Sequence, residues 1–174
     1  MDKNLYFIAL LLPEKISNEV LLIQKRCYEI YNSKKVLNSP PHITIIPPFS
    51  ASIDDISKVK IILNKINREF EAITVVLDNF GKFDSRNIHI KVKDNLRLNE
   101  LQEVVKHRLI NVTTSNFTFT PHISIINRDI MPEVFTQAYN FFANEKFTRV
   151  FKCNSLSLLM LSQHNHVWML QNNT

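Results

Sequence analysis

The sequence predicts one domain built as two similar lobes of mixed strands and helices, and three observations lead to that expectation. The order strand, helix, strand, helix, strand occurs twice along the chain. A six-residue pattern recurs as Pro41-His42-Ile43-Thr44-Ile45-Ile46 and Pro121-His122-Ile123-Ser124-Ile125-Ile126. The two histidines stand 80 positions apart, an offset that also roughly superimposes the strands near Leu5 and Arg86. Recurrence of the pattern inside a recurring order of elements marks an internal duplication, with halves of approximately 1–85 and 86–174. At 174 residues the chain is long enough to bury a core without staples, and one bilobal domain over 1–174 is expected.

The apolar run Leu5 to Leu12 is too short to span a bilayer and lacks a small-residue cleavage site, so it reads as a buried strand. Pro13 opens a segment with apolar residues at Ile16, Val20, Ile23, Cys27 and Ile30, the spacing of a helix with one buried face. It ends before Pro40-Pro41, and the first His-bearing strand follows. Ser52 with Asp54-Asp55 behind it suits a helix start, burying Ile56, Val59, Leu63, Ile66 and Phe70. A strand is expected over Ala72 to Phe80. Gly81 to Arg86 reads as a connection into a strand over Asn87 to Lys93, where Ile88, Ile90 and Val92 alternate. A helix from about Asn99 to Val112 precedes the second His-bearing strand. Pro132 suits the first turn of another helix. Strands over Phe147 to Leu161 and His166 to Gln171 close the chain.

A hydrophobic fraction of 45% with 21% charged residues is that of a globular protein with no disordered arm. The net charge of +5 favours polyanionic partners by drawing phosphates in. The cations are scattered, however, so phosphate recognition must be local rather than carried by a basic tail. Cys27 and Cys153 are too few and too far apart for a disulfide framework or a zinc cluster, and buried free thiols are expected. The reading is of a cytoplasmic protein with no membrane partner.

In a strand, side chains i and i+2 point to the same face, about 7 Å apart along the chain. His42 therefore shares a face with Thr44, and His122 with Ser124, while the isoleucines between them face a helix-covered core. Two such faces related by a pseudo-twofold would enclose a cleft. Two imidazoles and two hydroxyls in one cleft suit attack at phosphorus. One imidazole takes a proton from the nucleophile as the other gives one to the leaving oxygen. The hydroxyls donate to the non-bridging phosphate oxygens. No metal and no cofactor is required.

Other candidates weigh less. Arg128, just beyond the second His-bearing strand, could reach a phosphate. His89 alternates outward with Asn87 and Lys91 and reads as part of a solvated face. His164 and His166 fall at an expected hairpin without a second ligand pair at metal spacing, and His107 is a helix residue. Tyr6, Phe49 and Trp168 could stack on a base, but aromatic strand residues more often belong to a core.

The paired motifs, with Pro47-Pro48-Phe49 after the first and Asn127-Arg128-Asp129 after the second, closely resemble the His-x-Thr/Ser pairs of the 2H phosphoesterase superfamily. That superfamily includes the bacterial RNA 2′-5′ ligases and cyclic phosphodiesterases. The resemblance runs over nearly the whole chain. It implies an α+β fold, with two lobes of mostly antiparallel sheet facing each other across the site and helices outside. It implies His42 and His122 as the catalytic pair. It also implies hydrolysis of 2′,3′-cyclic phosphates or 2′-5′ linkages, or the reverse joining of RNA ends. RNA ends or cyclic and 2′-5′ nucleotides would be the substrates of a monomer without an obligate protein partner. The rival readings are a non-catalytic protein that binds RNA ends or cyclic nucleotides, and a two-histidine nuclease that forms cyclic phosphates.

Overall fold

The computed structural model describes residues 3–113 and 117–171. In chain order the elements are β1 (Asn4–Leu11), α1 (Glu14–Tyr31), a short 3-10 turn (Lys35–Asn38), β2 (His42–Ala51), α2 (Ile53–Glu69), β3 (Ile73–Phe83) and β4 (Asn87–Val92). Then come α3 (Leu96–Arg108), β5 (His122–Asn127), α4 (Pro132–Asn144), β6 (Thr148–Cys153), β7 (Leu156–Leu161) and β8 (Trp168–Gln171). The expected α+β architecture is present. Two antiparallel four-stranded sheets run in the orders β2-β1-β7-β8 and β5-β4-β3-β6, with four helices packed around them.

The two sheets draw strands from both ends of the chain. β1 and β2 correspond to β4 and β5, yet β3 leaves the first half to pair with β4 and β6 in the second sheet. The closing strands β7 and β8 return to the first sheet, where β7 pairs with β1 and β8 with β7. The first sheet is thus completed by two late strands, β7 and β8, and the second by one early strand, β3. Further ties cross between halves, including Arg149 Nε to Glu19 Oε2 at 2.6 Å. Asn67 clamps the crossing from β6 to β7 by accepting from the Leu156 amide at 2.8 Å and donating to its carbonyl at 3.1 Å. One continuous apolar core, from Ile8 and Val20 to Ile125 and Leu158, runs under both sheets.

Local chemistry accounts for most element boundaries. Ser52 and Asp55 form a reciprocal capping box at the start of α2, satisfying two amides the first turn leaves free. α3 begins earlier than the periodicity suggests, because the Asn95 side chain accepts from the Leu98 amide at 3.2 Å and caps it there. In α1 the inward position is Gln24, whereas Ile30 is 58% exposed. β3 also runs on through Gly81 to Phe83. A register shift lies between Leu77 and Phe80, with Asn79 in the left-handed region at φ 57°, a conformation asparagine tolerates. The turn itself falls at Asp84, φ 48°.

One irregularity is duplicated. In the first sheet Thr44 pairs with Ala9 and Ile46 with Ile8, leaving Ile45 unpaired. In the second, Ser124 pairs with His89 and Ile126 with Ile88, leaving Ile125 unpaired. A bulge inserts one residue and reverses the alternation beyond it. Hence Ile43, Ile45 and Ile46 are all buried, as are Ile123, Ile125 and Ile126. Strict alternation would have put Ile46 and Ile126 on the same face as the histidines.

Candidate active-site cleft

The histidine-bearing faces enclose a cleft of about 600 Å³ between the sheets. His42 and Thr44 line it from β2, and His122 and Ser124 from β5, with Arg128 at the end of β5. The five residues singled out in the sequence therefore meet in one space. Arg128 is exposed, and its backbone adopts φ 57°, its amide donating to the Arg86 carbonyl at 2.7 Å.

Both motif histidines are held alike. His42 Nδ1 lies 2.8 Å from the Pro40 carbonyl oxygen, and His122 Nδ1 lies 2.7 Å from that of Thr120. A carbonyl can only accept, so Nδ1 carries the hydrogen in each ring and Nε2 is left to exchange protons. Each histidine follows a proline, which restricts its own predecessor to extended backbone. That predecessor, Pro40 or Thr120, supplies the carbonyl. Phe7 packs against His42 at 4.8 Å between ring centroids, and Phe83 meets His122 edge-on at 4.9 Å.

Burial pushes the His42 imidazole down to about 4; the bond to Pro40 opposes this and the field of His122 adds to it. Burial likewise lowers His122, against the bond to Thr120. Two imidazoles that sense each other's charge in a shared cleft can divide one proton between them, as an acid and base pair requires.

His89 departs from the expectation of a solvated face. It does alternate with Asn87 and Lys91, but its ring is buried beside His122, and His89 is only 5% exposed. The ring stacks on Phe83 at 4.1 Å and meets His122 edge-on at 5.1 Å. Gly81, the sole glycine, is the cross-strand partner of His89. A Cβ at Gly81 would come within 2.9 Å of His89 Nε2, so the missing side chain makes room for the imidazole. A glycine in a strand interior signals such close approach, which was the available clue.

Lys35, Arg86 and Phe83 also line the cleft, and no local pattern marked them. Asp129 brings Lys35 there by accepting from Ser33 Oγ at 2.8 Å and from the Lys34 and Lys35 amides at 2.6 and 2.7 Å. Trp168 lines the cleft too, packed edge-on against Phe7 at 4.6 Å, whereas Tyr6 and Phe49 are core residues as expected. His164 and His166 are exposed between β7 and β8, and His107 is exposed on α3. Cys27 and Cys153 are buried free thiols. Among the described residues no group of three or more His, Cys, Asp or Glu could hold a metal ion, and no helix is long and apolar enough to cross a membrane.

The profile of the 2′-5′ RNA ligase superfamily matches residues 12–165. A protein of Geobacillus sp. (strain WCH70) that bears the provisional name phosphoesterase is 32% identical over 136 residues, covering 77% of this chain and 75% of that one. A similarly named protein of Geobacillus kaustophilus (strain HTA426) is 31% identical over 137 residues, covering 78% and 75%. Among solved structures, E. coli LigT complexed with 3′-AMP superimposes with a TM-score of 0.67 at 16% identity, over 98% of this chain and 95% of LigT. A protein of Thermus thermophilus superimposes with a TM-score of 0.72 at 15% identity, over 97% and 95%.

Proposed function

Since this chain belongs to the 2′-5′ RNA ligase superfamily, whose members are two-histidine phosphoesterases, we propose that it opens 2′,3′-cyclic phosphates or cleaves 2′-5′ phosphodiesters in RNA-like substrates. His42 and His122 act as base and acid. The observation that carries this reading is the identical Nδ1 lock on the two rings, 2.8 Å to Pro40 and 2.7 Å to Thr120, which leaves both with Nε2 for proton transfer.

In hydrolysis, Nε2 of one neutral imidazole takes a proton from water as the water oxygen bonds to phosphorus. The bond from phosphorus to the 2′ or 3′ oxygen breaks, and that oxygen takes a proton from Nε2–H of the other, protonated imidazole. A phosphomonoester and a free ribose hydroxyl result. Joining RNA ends uses the same pair, with the hydroxyl of a second RNA end in place of water: its proton goes to the base as its oxygen bonds to phosphorus, and the ribose oxygen of the cyclic phosphate leaves and is protonated by the acid. Thr44 and Ser124 donate to the non-bridging oxygens, where preorganised donors matter most, and Arg128 offsets the phosphate charge. E. coli LigT, a structural neighbour, has been crystallised with 3′-AMP and with ATP, which accords with a nucleotide-sized ligand in a cleft of this volume. The whole chain acts as one bilobal unit, in the cytoplasm and as a monomer.

The test is incubation of the purified protein, with EDTA present, with 2′,3′-cyclic nucleotides, with 2′-5′ and 3′-5′ linked dinucleotides and with ADP-ribose 1″,2″-cyclic phosphate. Products are identified by chromatography. Turnover of a cyclic or 2′-5′ substrate that persists under chelation is expected. Binding without product would favour a non-catalytic RNA-end-binding protein, and new cyclic phosphate from a 3′-5′ dinucleotide would favour a nuclease.

A further inference from the structure

The two lobes match residue for residue around their motifs until the strand beside each one. In the second sheet His89 pairs with Ser124 and Lys91 with His122. In the first, Ala9 pairs with Thr44 and Leu11 with His42. The same 80-residue offset relates Ala9 to His89, Leu11 to Lys91 and Phe7 to Asn87. Where the first lobe places two side chains without hydrogen-bonding groups, Phe7 and Ala9, the second places Asn87 and His89.

These two form a chain of bonds ending on the second motif. His89 Nδ1 lies 3.0 Å from Asn87 Oδ1, and Asn87 Nδ2 donates to Ser124 Oγ at 2.9 Å. Both Asn87 and His89 are less than a tenth exposed. The Ser124 backbone is held as well, its carbonyl accepting from Gln24 Nε2 of α1 at 2.9 Å. With the Asn87 amide nitrogen directed at Ser124 Oγ, the serine oxygen is occupied as an acceptor, and its own hydrogen remains for another partner.

We propose that His89 is a positioning residue: its Nδ1–H fixes the Asn87 side-chain amide, which in turn obliges the Ser124 hydroxyl to donate into the cleft. Building on the phosphoesterase reading above, the acceptor of that donation is a non-bridging oxygen of the substrate phosphate. The consequence is an intrinsic asymmetry between the motifs. Ser124 is a preset donor, whereas among the described residues no side-chain amide bonds to the Thr44 hydroxyl, which is flanked by Ala9. Gly81 belongs to the same device, since it makes the space in which the His89 ring lies.

A coupling cycle tests this on 2′,3′-cyclic nucleotide turnover with wild type, His89→Leu, Ser124→Ala and the double variant. Loss of one preorganised donor in Ser124→Ala is expected to lower kcat about 10²-fold. His89→Leu should lower it about 10-fold, the scale of one lost orienting hydrogen bond, with little change in KM. The double variant should be no worse than Ser124→Ala alone, because the bonds from His89 through Asn87 end on Ser124. His89→Asn, which keeps a donor at the position of Nδ1, should recover most of the loss. Multiplying losses in the double variant, or no rescue by asparagine, would overturn the inference while leaving the phosphoesterase reading intact. Absence of wild-type turnover would overturn both. Should His89→Leu fail to fold, long-range proton–nitrogen NMR of the wild type decides instead. An Nδ1–H tautomer at His89 is expected, and an Nε2–H tautomer would reverse the chain of bonds and overturn the proposal.

Discussion

His42 and His122 present the same ring nitrogen to one cleft, because each donates Nδ1–H to the carbonyl two residues upstream, at 2.8 and 2.7 Å. Equal tautomers allow either ring to start as base and the other as acid. The difference between them comes from their surroundings: Phe7 packs against His42, whereas His122 meets both Phe83 and His89.

That environment fixes the expected pH dependence. Both imidazoles titrate below the ordinary 6.5, His42 at about 4. As pH falls, the base is lost by protonation; as pH rises, the acid is lost once pH exceeds its own lowered value. The profile of kcat/KM, which reports the free enzyme, should therefore be bell-shaped with its maximum below pH 6.5. A bound phosphate anion favours the protonated imidazole, so the kcat profile should lie higher. A kcat/KM maximum above about pH 7.5, a full unit beyond the unperturbed imidazole, would contradict this assignment.

The same burial makes the fold sensitive to acid. His42 and His89 are both pushed down to about 4, while the unfolded chain takes up those protons near 6.5. Their contribution is fully present above pH 6.5 and is lost as pH falls from there toward 4. The melting temperature should drop over that window, and less steeply in His89→Asn. An unchanged slope in that variant would show that His89 does not titrate with unfolding.

Asp129 should matter for substrate affinity more than for chemistry. Its three accepted hydrogen bonds hold the turn that carries Lys35 to the cleft. Asp129→Ala is expected to cost about 2 kcal/mol of stability, since each of the three accepted bonds contributes roughly 0.5–1.5 kcal/mol net, and to raise KM severalfold with kcat nearly unchanged. Steady-state kinetics separate the two, and a fall in kcat at constant KM would count against this role.

The motif faces were legible because alternation in a strand is local: His42 with Thr44, and His122 with Ser124, needed no knowledge of pairing. The helix of Ile56, Val59, Leu63 and Ile66 followed from periodicity and the Ser52 cap for the same reason. What escaped was non-local. Alternation told that His89 shares a face with Asn87 and Lys91, but not that its ring would be enclosed beside His122 rather than solvated. Nothing along β3 reveals that it completes the other lobe, since a strand's partner is set by the fold and not by its own residues. The bulges at Ile45 and Ile125 were hidden because an apolar Ile-Ile pair fits either face.

The most direct measurement of the central claim is turnover of a 2′,3′-cyclic nucleotide by His42→Ala, His122→Ala and the double variant, with folding checked by thermal melting. Each single variant should fall roughly 10²-fold or more, the scale of one positioned acid or base. The double should be scarcely slower than either, because both groups serve one proton-transfer sequence. Near-wild-type turnover in either folded single variant would contradict the two-histidine mechanism.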